Sequence, residues 1–170
     1  DFPMRNLSHA HTFVTSLVAS LMLASAANAT DIQAQAAAPA MLAKWTGPHG
    51  GVPDWRSVNV DEFPAAFAVA MNEQRAEIAR ITSDKAKPSF DNTIVALERS
   101  GQTMTRIYTY YNVHTSVLNV GKLPSIKREL APKLAAFGDE INQNLPLFKR
   151  VETVYKAREK LKLTPEQLRL

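Results

Sequence analysis

The stretch SFDNTIVALERSGQTMTRIYTYYNVHTSVL, residues 89–118, decides the fold class. Phe90, Ile94, Leu97, Gly101, Met104, Tyr108, Tyr111, Thr115 and Leu118 recur at alternating steps of four and three. On a helix that spacing gathers all nine on one side, a heptad-like seam that must bury itself against other helices. Ser89 supplies an N-cap, and Asp91 stands near the positive end of the helix dipole. Gly101 on the seam costs about 1 kcal/mol relative to alanine. It marks either a close helix crossing or a local kink.

Working outward, the same periodicity continues on both sides. A first helix is expected from Asp61, its N-cap, to about Thr82, with Phe63, Phe67, Ala70, Gln74, Ile78 and Ile81 as a stripe broken once by the glutamine. Residues 83–88 form the loop between it and the second helix. A third spans about Pro124 to Asn144 on Ile126, Leu130, Leu134, Phe137 and Ile141, and Pro132 inside it predicts a kink or a split. A fourth, about Pro146 to Lys162, carries Leu147, Val151, Val154 or Tyr155, Arg158 and Leu161. Short linkers imply antiparallel neighbours, and no segment alternates with period two, so the fold class is all-α.

Upstream lies a lead-in, residues 30–60. Its first part, ATDIQAQAAAPA (29–40), reads as a spacer with nothing to pack. Its second, KWTGPHGGVPDWRSVNV (44–60), holds three glycines and two prolines and is turn-rich. Trp45 and Trp55 must bury a large apolar area, so this part is expected to be an ordered arm draped over the helices. The C-terminal KLTPEQLRL (162–170) has a capping-box pattern, Thr164 to Gln167, with Pro165 at the first helical position. It reads as the first turn of a further helix, from which truncation at the C-terminus is expected.

Composition bounds the function. Hydrophobic residues make up 45% and charged residues 21% of the 170, which is globular rather than disordered. Cysteine is absent, removing disulfides, thiolate zinc sites, cysteine nucleophiles and a lipoprotein anchor. Net charge is +4, and the basic run Lys149, Arg150, Lys156, Arg158, Lys160 and Lys162 is interrupted by Glu152, Glu159 and Glu166. That is a solvated helix face rather than a nucleic-acid footprint. From Met4, one positive charge (Arg5) precedes an apolar run, 13–27, that ends in Ala27-Asn28-Ala29. Residues 4–29 read as a cleaved secretory signal, with a retained anchor as the alternative, since a membrane span needs about 20 apolar residues. Asp1-Phe2-Pro3 ahead of it reads as upstream translation. The protein is expected to be periplasmic or secreted, and not membrane-bound after cleavage.

No catalytic pattern emerges from the residues. His9 and His11 fall in the signal; His49 and His114 lack the i, i+4 spacing and following glutamate of a helical zinc-protease site. His114 reads as a hydrogen-bonded or exposed structural histidine. Ser100-Gly101 is no nucleophile elbow, because no strand precedes it. Tyr108, Tyr110, Tyr111 and Asn112 form a polar-aromatic group in which Tyr108 and Tyr111 are expected in the core and Tyr110 at the surface. Glu73 and Glu77 read as an exposed helix face rather than an acid/base pair. No catalytic, cofactor-binding or metal-ligating residue is assigned.

Two stretches nevertheless carry a resemblance. WTGPHGGVPDWRSVNVDEFPAAFAVAMNEQRAEIARI (45–81) and KPSFDNTIVALERSG (87–101) resemble the opening of peptidyl-dipeptidases and oligopeptidases of the thimet-oligopeptidase family of zinc metallopeptidases. The carriers are Trp45, Gly47-Pro48, Gly50-Gly51-Val52-Pro53, Phe63 to Ala66, and Phe90 to Gly101. ELAPKLAAFGDEINQNLPLFKRVETVY (129–155) continues the likeness, Pro132 included. Asp54-Trp55-Arg56-Ser57 departs from it, where relatives more often have Pro-Phe-Asp-Lys. The resemblance implies a much longer, two-lobed helical enzyme that cuts short peptides in a deep channel. Its zinc would sit on a downstream H-E-x-x-H helix, polarising the scissile carbonyl while the motif glutamate activates water. Residues 61–170 would then be its N-terminal helical region, part of one channel wall. The fragment alone would be inactive and bind no zinc, and the complete enzyme would be a monomer. A stand-alone helical module that binds a peptide or protein without chemistry is the rival reading.

Overall fold

The computed structural model describes residues 39–169. The signal-sequence reading of 4–29 and most of the spacer lie outside the described residues. The chain enters at α1 (Pro39–Leu42), a single turn. Three 3-10 turns, Pro48–Gly50, Trp55–Ser57 and Val60–Glu62, carry the arm to α2 (Phe63–Ser83). A π-helical segment, Phe90–Val95, runs into the short α3 (Ala96–Glu98). Next come α4 (Gln102–Val113), which continues as a π-helical turn at His114–Leu118, then α5 (Leu123–Asn142) and α6 (Leu145–Ala157). Two 3-10 turns, Arg158–Lys160 and Gln167–Arg169, close the described chain. Among the described residues there is no strand, only an isolated antiparallel bridge between Thr46 and Val52, so the all-α class holds. No described helix is long and apolar enough to cross a membrane.

The centre is α2, which packs against α4, α5 and α6. Its first half presents Phe63, Ala66, Phe67 and Ala70 to Met104, Ile107, Tyr110 and Tyr111 of α4 and to Leu123, Ile126, Leu130 and Phe137 of α5. The aromatic rings meet edge to face: Phe63–Tyr111 at 5.3 Å, Phe67–Tyr111 at 5.2 Å and Phe67–Tyr108 at 5.0 Å. Such contacts add about 0.5–1.5 kcal/mol each beyond area burial. The second half of α2 makes a smaller cluster, where Ile78 and Ile81 meet Leu147 of α6.

Several expectations are corrected. Just past the spacer the chain packs, since α1 inserts Met41 fully into the core. Asp61 is not the N-cap of α2; it lies in a 3-10 turn and its carboxylate takes the Lys122 ammonium at 2.7 Å, while Asn59 accepts its amide at 3.1 Å. The seam of 89–118 is two pieces rather than one helix. Gly101 adopts φ +70°, and a Cβ there would stand 2.7 Å from the Gln74 side chain, so the break and the close crossing are the same feature. Leu118 at the seam's end is half exposed. Ser89 does cap, reciprocally with Asn92 at 3.1 and 2.8 Å.

Pro132 splits nothing, as α5 runs through it. Pro132 and Arg128 are both on the exposed side, so the carbonyl that the missing N–H leaves free lies where solvent can reach it. Asn144 belongs to the next helix, accepting the Leu147 amide at 3.0 Å, and α6 gives way to 3-10 geometry at Arg158. Arg150 is not part of a solvated face. It is buried, donating from Nη1 to the Asp84 carbonyl at 2.9 Å and lying 3.6 Å from the Asp84 carboxylate. It fastens the loop after α2 to α6. The capping box of Thr164 and Gln167 forms, at 2.9 and 3.3 Å, although the turn it starts is 3-10.

Candidate functional site

The most elaborate side-chain arrangement lies where the arm meets α4. Tyr110, expected at the surface, is fully buried, and its hydroxyl accepts the Trp45 indole N–H at 3.0 Å and the Asp54 amide at 3.1 Å. Trp45 and Trp55 both set their rings edge-on to Tyr110, at 5.9 and 5.4 Å. Trp55 also lies over His114 at 6.2 Å, and His114 stacks edge-on to Phe63 at 5.8 Å. His114 is buried and its Nδ1 donates to the Tyr110 carbonyl at 2.8 Å, which fits the structural reading.

Arm and helix thus clasp each other. Helical periodicity could not reveal it, because the arm covers a second side of α4 that the seam leaves free. A usable signal was present: two arm tryptophans need a hydrogen-bonding partner, and the tyrosine group is one. Trp55 remains 42% exposed, less buried than its size predicted.

The arm's own shape depends on Gly51. At φ +94° it passes so close to Trp45 that a Cβ would meet the Trp45 carbonyl carbon at 2.5 Å. The turn closes through Val52 N–H to the Thr46 carbonyl at 3.3 Å. His49 sits exposed on this turn with φ 56°. Arg106 ties α1 to the same platform, donating to the Leu42 carbonyl at 3.2 Å and to Thr103 at 3.0 Å. A recess of about 270 Å³ remains between arm and helix, bordered by Trp45, Thr46, Asp54, Ser57 and Tyr110.

A second, more open groove of about 390 Å³ runs between α2 and α3, with Glu77, Arg80, Asp84, Arg99 and Ser100 on its walls. Glu77 is not simply a surface carboxylate. It accepts the Gly101 amide at 2.7 Å, capping the start of α4 from another helix, while Glu73 stays exposed. The two therefore do different things and form no acid/base pair. Ser100 spends its proton on the Leu97 carbonyl at 2.7 Å.

Among titrating groups, burial raises Tyr108 and Tyr111 above the ordinary tyrosine value, with Tyr108 adding to the shift at Tyr111. On the outside, Arg75 and Glu140 are joined at 2.7–3.0 Å. That hydrogen bond holds Glu140 below the usual glutamate value and raises Arg75.

The described residues do not fit a catalytic zinc: no group of three or more His, Asp or Glu side chains could hold a metal, and His49 and His114 belong to different local structures. The geometry defines a helical packing unit with an aromatic clasp.

Comparison with known proteins supplies the lineage. The chain is 34% identical over 118 residues to a dipeptidyl carboxypeptidase of Escherichia coli (strain K12), covering 69% of this chain and 17% of that protein. It is also 34% identical over 108 residues to a dipeptidyl carboxypeptidase of Salmonella typhimurium (strain LT2), covering 64% and 16%. No protein-family model matches. This chain is a homologue of the dipeptidyl carboxypeptidases, as its likeness to the thimet-oligopeptidase family implied. It spans about one sixth of the length of the curated relatives it matches.

Proposed function

We propose that this chain is the N-terminal helical region of an exported, zinc-dependent peptidyl-dipeptidase acting on short peptides. The homology to two dipeptidyl carboxypeptidases of far greater length carries the reading. The packing supports a structural role within such an enzyme, since α2, α4 and α5 share one core that the arm clasps. The zinc would be held elsewhere in the polypeptide, on the H-E-x-x-H helix that the family resemblance implies. Export to the periplasm or beyond rests on Arg5, the apolar run 13–27 and the Ala27-Asn28-Ala29 triplet. The complete enzyme would act as a monomer.

The test is to express the whole reading frame that contains this sequence and assay an N-blocked tetrapeptide for release of its C-terminal dipeptide. Chelator-sensitive release by the long polypeptide, with none from residues 30–170 alone, is expected. Dipeptide release by residues 30–170 alone would contradict the reading. A frame that stops directly after Leu170 would favour the stand-alone binding module, for which the closed core of the arm half is the supporting observation.

A further inference from the structure

We propose that the outer face of α6, with the groove it borders, is the surface on which the remainder of the longer peptidase chain docks; this rests on the reading just given. The α6 helix is apolar on two sides. Leu147 and Val154 are buried on the side that meets α2 and the π-helical segment. On the other side Leu145, Phe148 and Tyr155, spaced by three and seven, are 57%, 58% and 61% exposed. The adjacent α5 behaves differently: its outer face carries Lys127, Arg128, Glu129 and Lys133, all exposed, with Lys133 paired to Glu129 at 2.7 Å. A surface helix shows one apolar stripe, whereas a helix apolar all round belongs in an interior. By that rule α5 is a surface helix, whereas the apolar arc of α6 extends past its buried strip and leaves one charged edge, Lys149, Glu152 and Lys156, with Lys156 paired to Glu152 at 2.7 Å.

At Tyr155 the stripe runs into a groove of about 380 Å³. Phe90, Ile94 and Val154 line it on one side, and Leu163 and Leu168 on the other. Its charged groups are both cationic: Arg158, stacked 4.0 Å over the Tyr155 ring, and Arg169. The fitting occupant is an apolar segment bordered by carboxylates. The relatives carry the matched region as about one sixth of their length, so most of such a polypeptide remains to supply it. Covalent linkage would hold that segment at a high effective concentration.

The chain has no cysteine, so single cysteines report burial site by site. Phe148→Cys and Tyr155→Cys would be labelled with a maleimide in the 170-residue chain and in the polypeptide from the whole reading frame. Arg128→Cys on α5 serves as reference, and each position is read by mass spectrometry of its own peptide. The thiols at 148 and 155 are expected to react on the order of tenfold slower in the long polypeptide, with the reference unchanged. Unchanged rates at 148 and 155 in a long polypeptide that still releases dipeptides overturn the docking face while leaving the peptidase reading intact. A frame that stops at Leu170 removes both. Protection that grows with concentration of the 170-residue chain, with a dimer in sedimentation, assigns the face to a second copy and overturns the proposal.

Discussion

The two ends of this molecule solve the same problem unequally. At the arm end, polar tips inside the aromatic cluster find partners: the Trp45 indole and the Asp54 amide both reach Tyr110, and His114 reaches a carbonyl. At the α6 end, a buried arginine keeps Nε and Nη2 without hydrogen-bond partners, and an apolar stripe faces outward. Burying a polar group is neutral only when its hydrogen bonds are made, and exposing large apolar side chains forgoes their burial. The arm end satisfies most of its polar tips, with Arg106 Nε the buried exception, and Trp55, Val113 and Val117 stay exposed at its border. The α6 end leaves a strip of large apolar side chains, Leu145, Phe148 and Tyr155, uncovered beside its charged edge.

Substitutions can break or sharpen that contrast. The largest effect is expected from Phe67→Ala, which empties a fully buried position in contact with Tyr108 and Tyr111. A loss of about 3–5 kcal/mol should appear in urea unfolding followed by circular dichroism. Tyr110→Phe is next. It leaves two partly buried donors without an acceptor, costing about 1–3 kcal/mol and shifting tryptophan fluorescence. Arg150→Met is expected to cost less, about 1 kcal/mol. It removes an imperfectly satisfied guanidinium, and Asp84, one-third exposed, can rehydrate. Should Arg150→Met cost more than Tyr110→Phe, the ranking of the two ends is wrong.

The smallest effect belongs to a pair on neither side of the contrast. Glu140→Gln at the exposed Arg75 contact should cost under about 1 kcal/mol. Its sign in pH follows from the lowered Glu140 value. The contribution is present above the unfolded glutamate pKa of about 4.3 and is lost as pH falls through the lower folded value. Wild type and variant should therefore converge in acid, as compared by thermal melts between neutral pH and that range.

Much of this was legible in the chain. Steps of three and four fixed α2, α4 and α5 and most of their buried residues, because a helix sorts side chains by angle alone. The clasp was half legible: the tryptophans demanded a partner, but Tyr110 sits off the seam and is buried by a segment with no periodicity to align. Arg150 was hidden inside a run of lysines, since the chain records charge but not which cation a loop carbonyl will capture. Gly101 carried two meanings, and the left-handed backbone together with Gln74 shows both to be true. The lineage came from the resemblance and not from any site residue.

The contrast between the ends is tested most directly by hydrogen exchange on the 170-residue chain, read by mass spectrometry. The account predicts that amides of α6, Leu145–Ala157, exchange on the order of tenfold faster than those of α2 between Phe67 and Ile81. Equal protection of α6 and α2 in the monomer would contradict it, showing the α6 end to be as complete as the arm end.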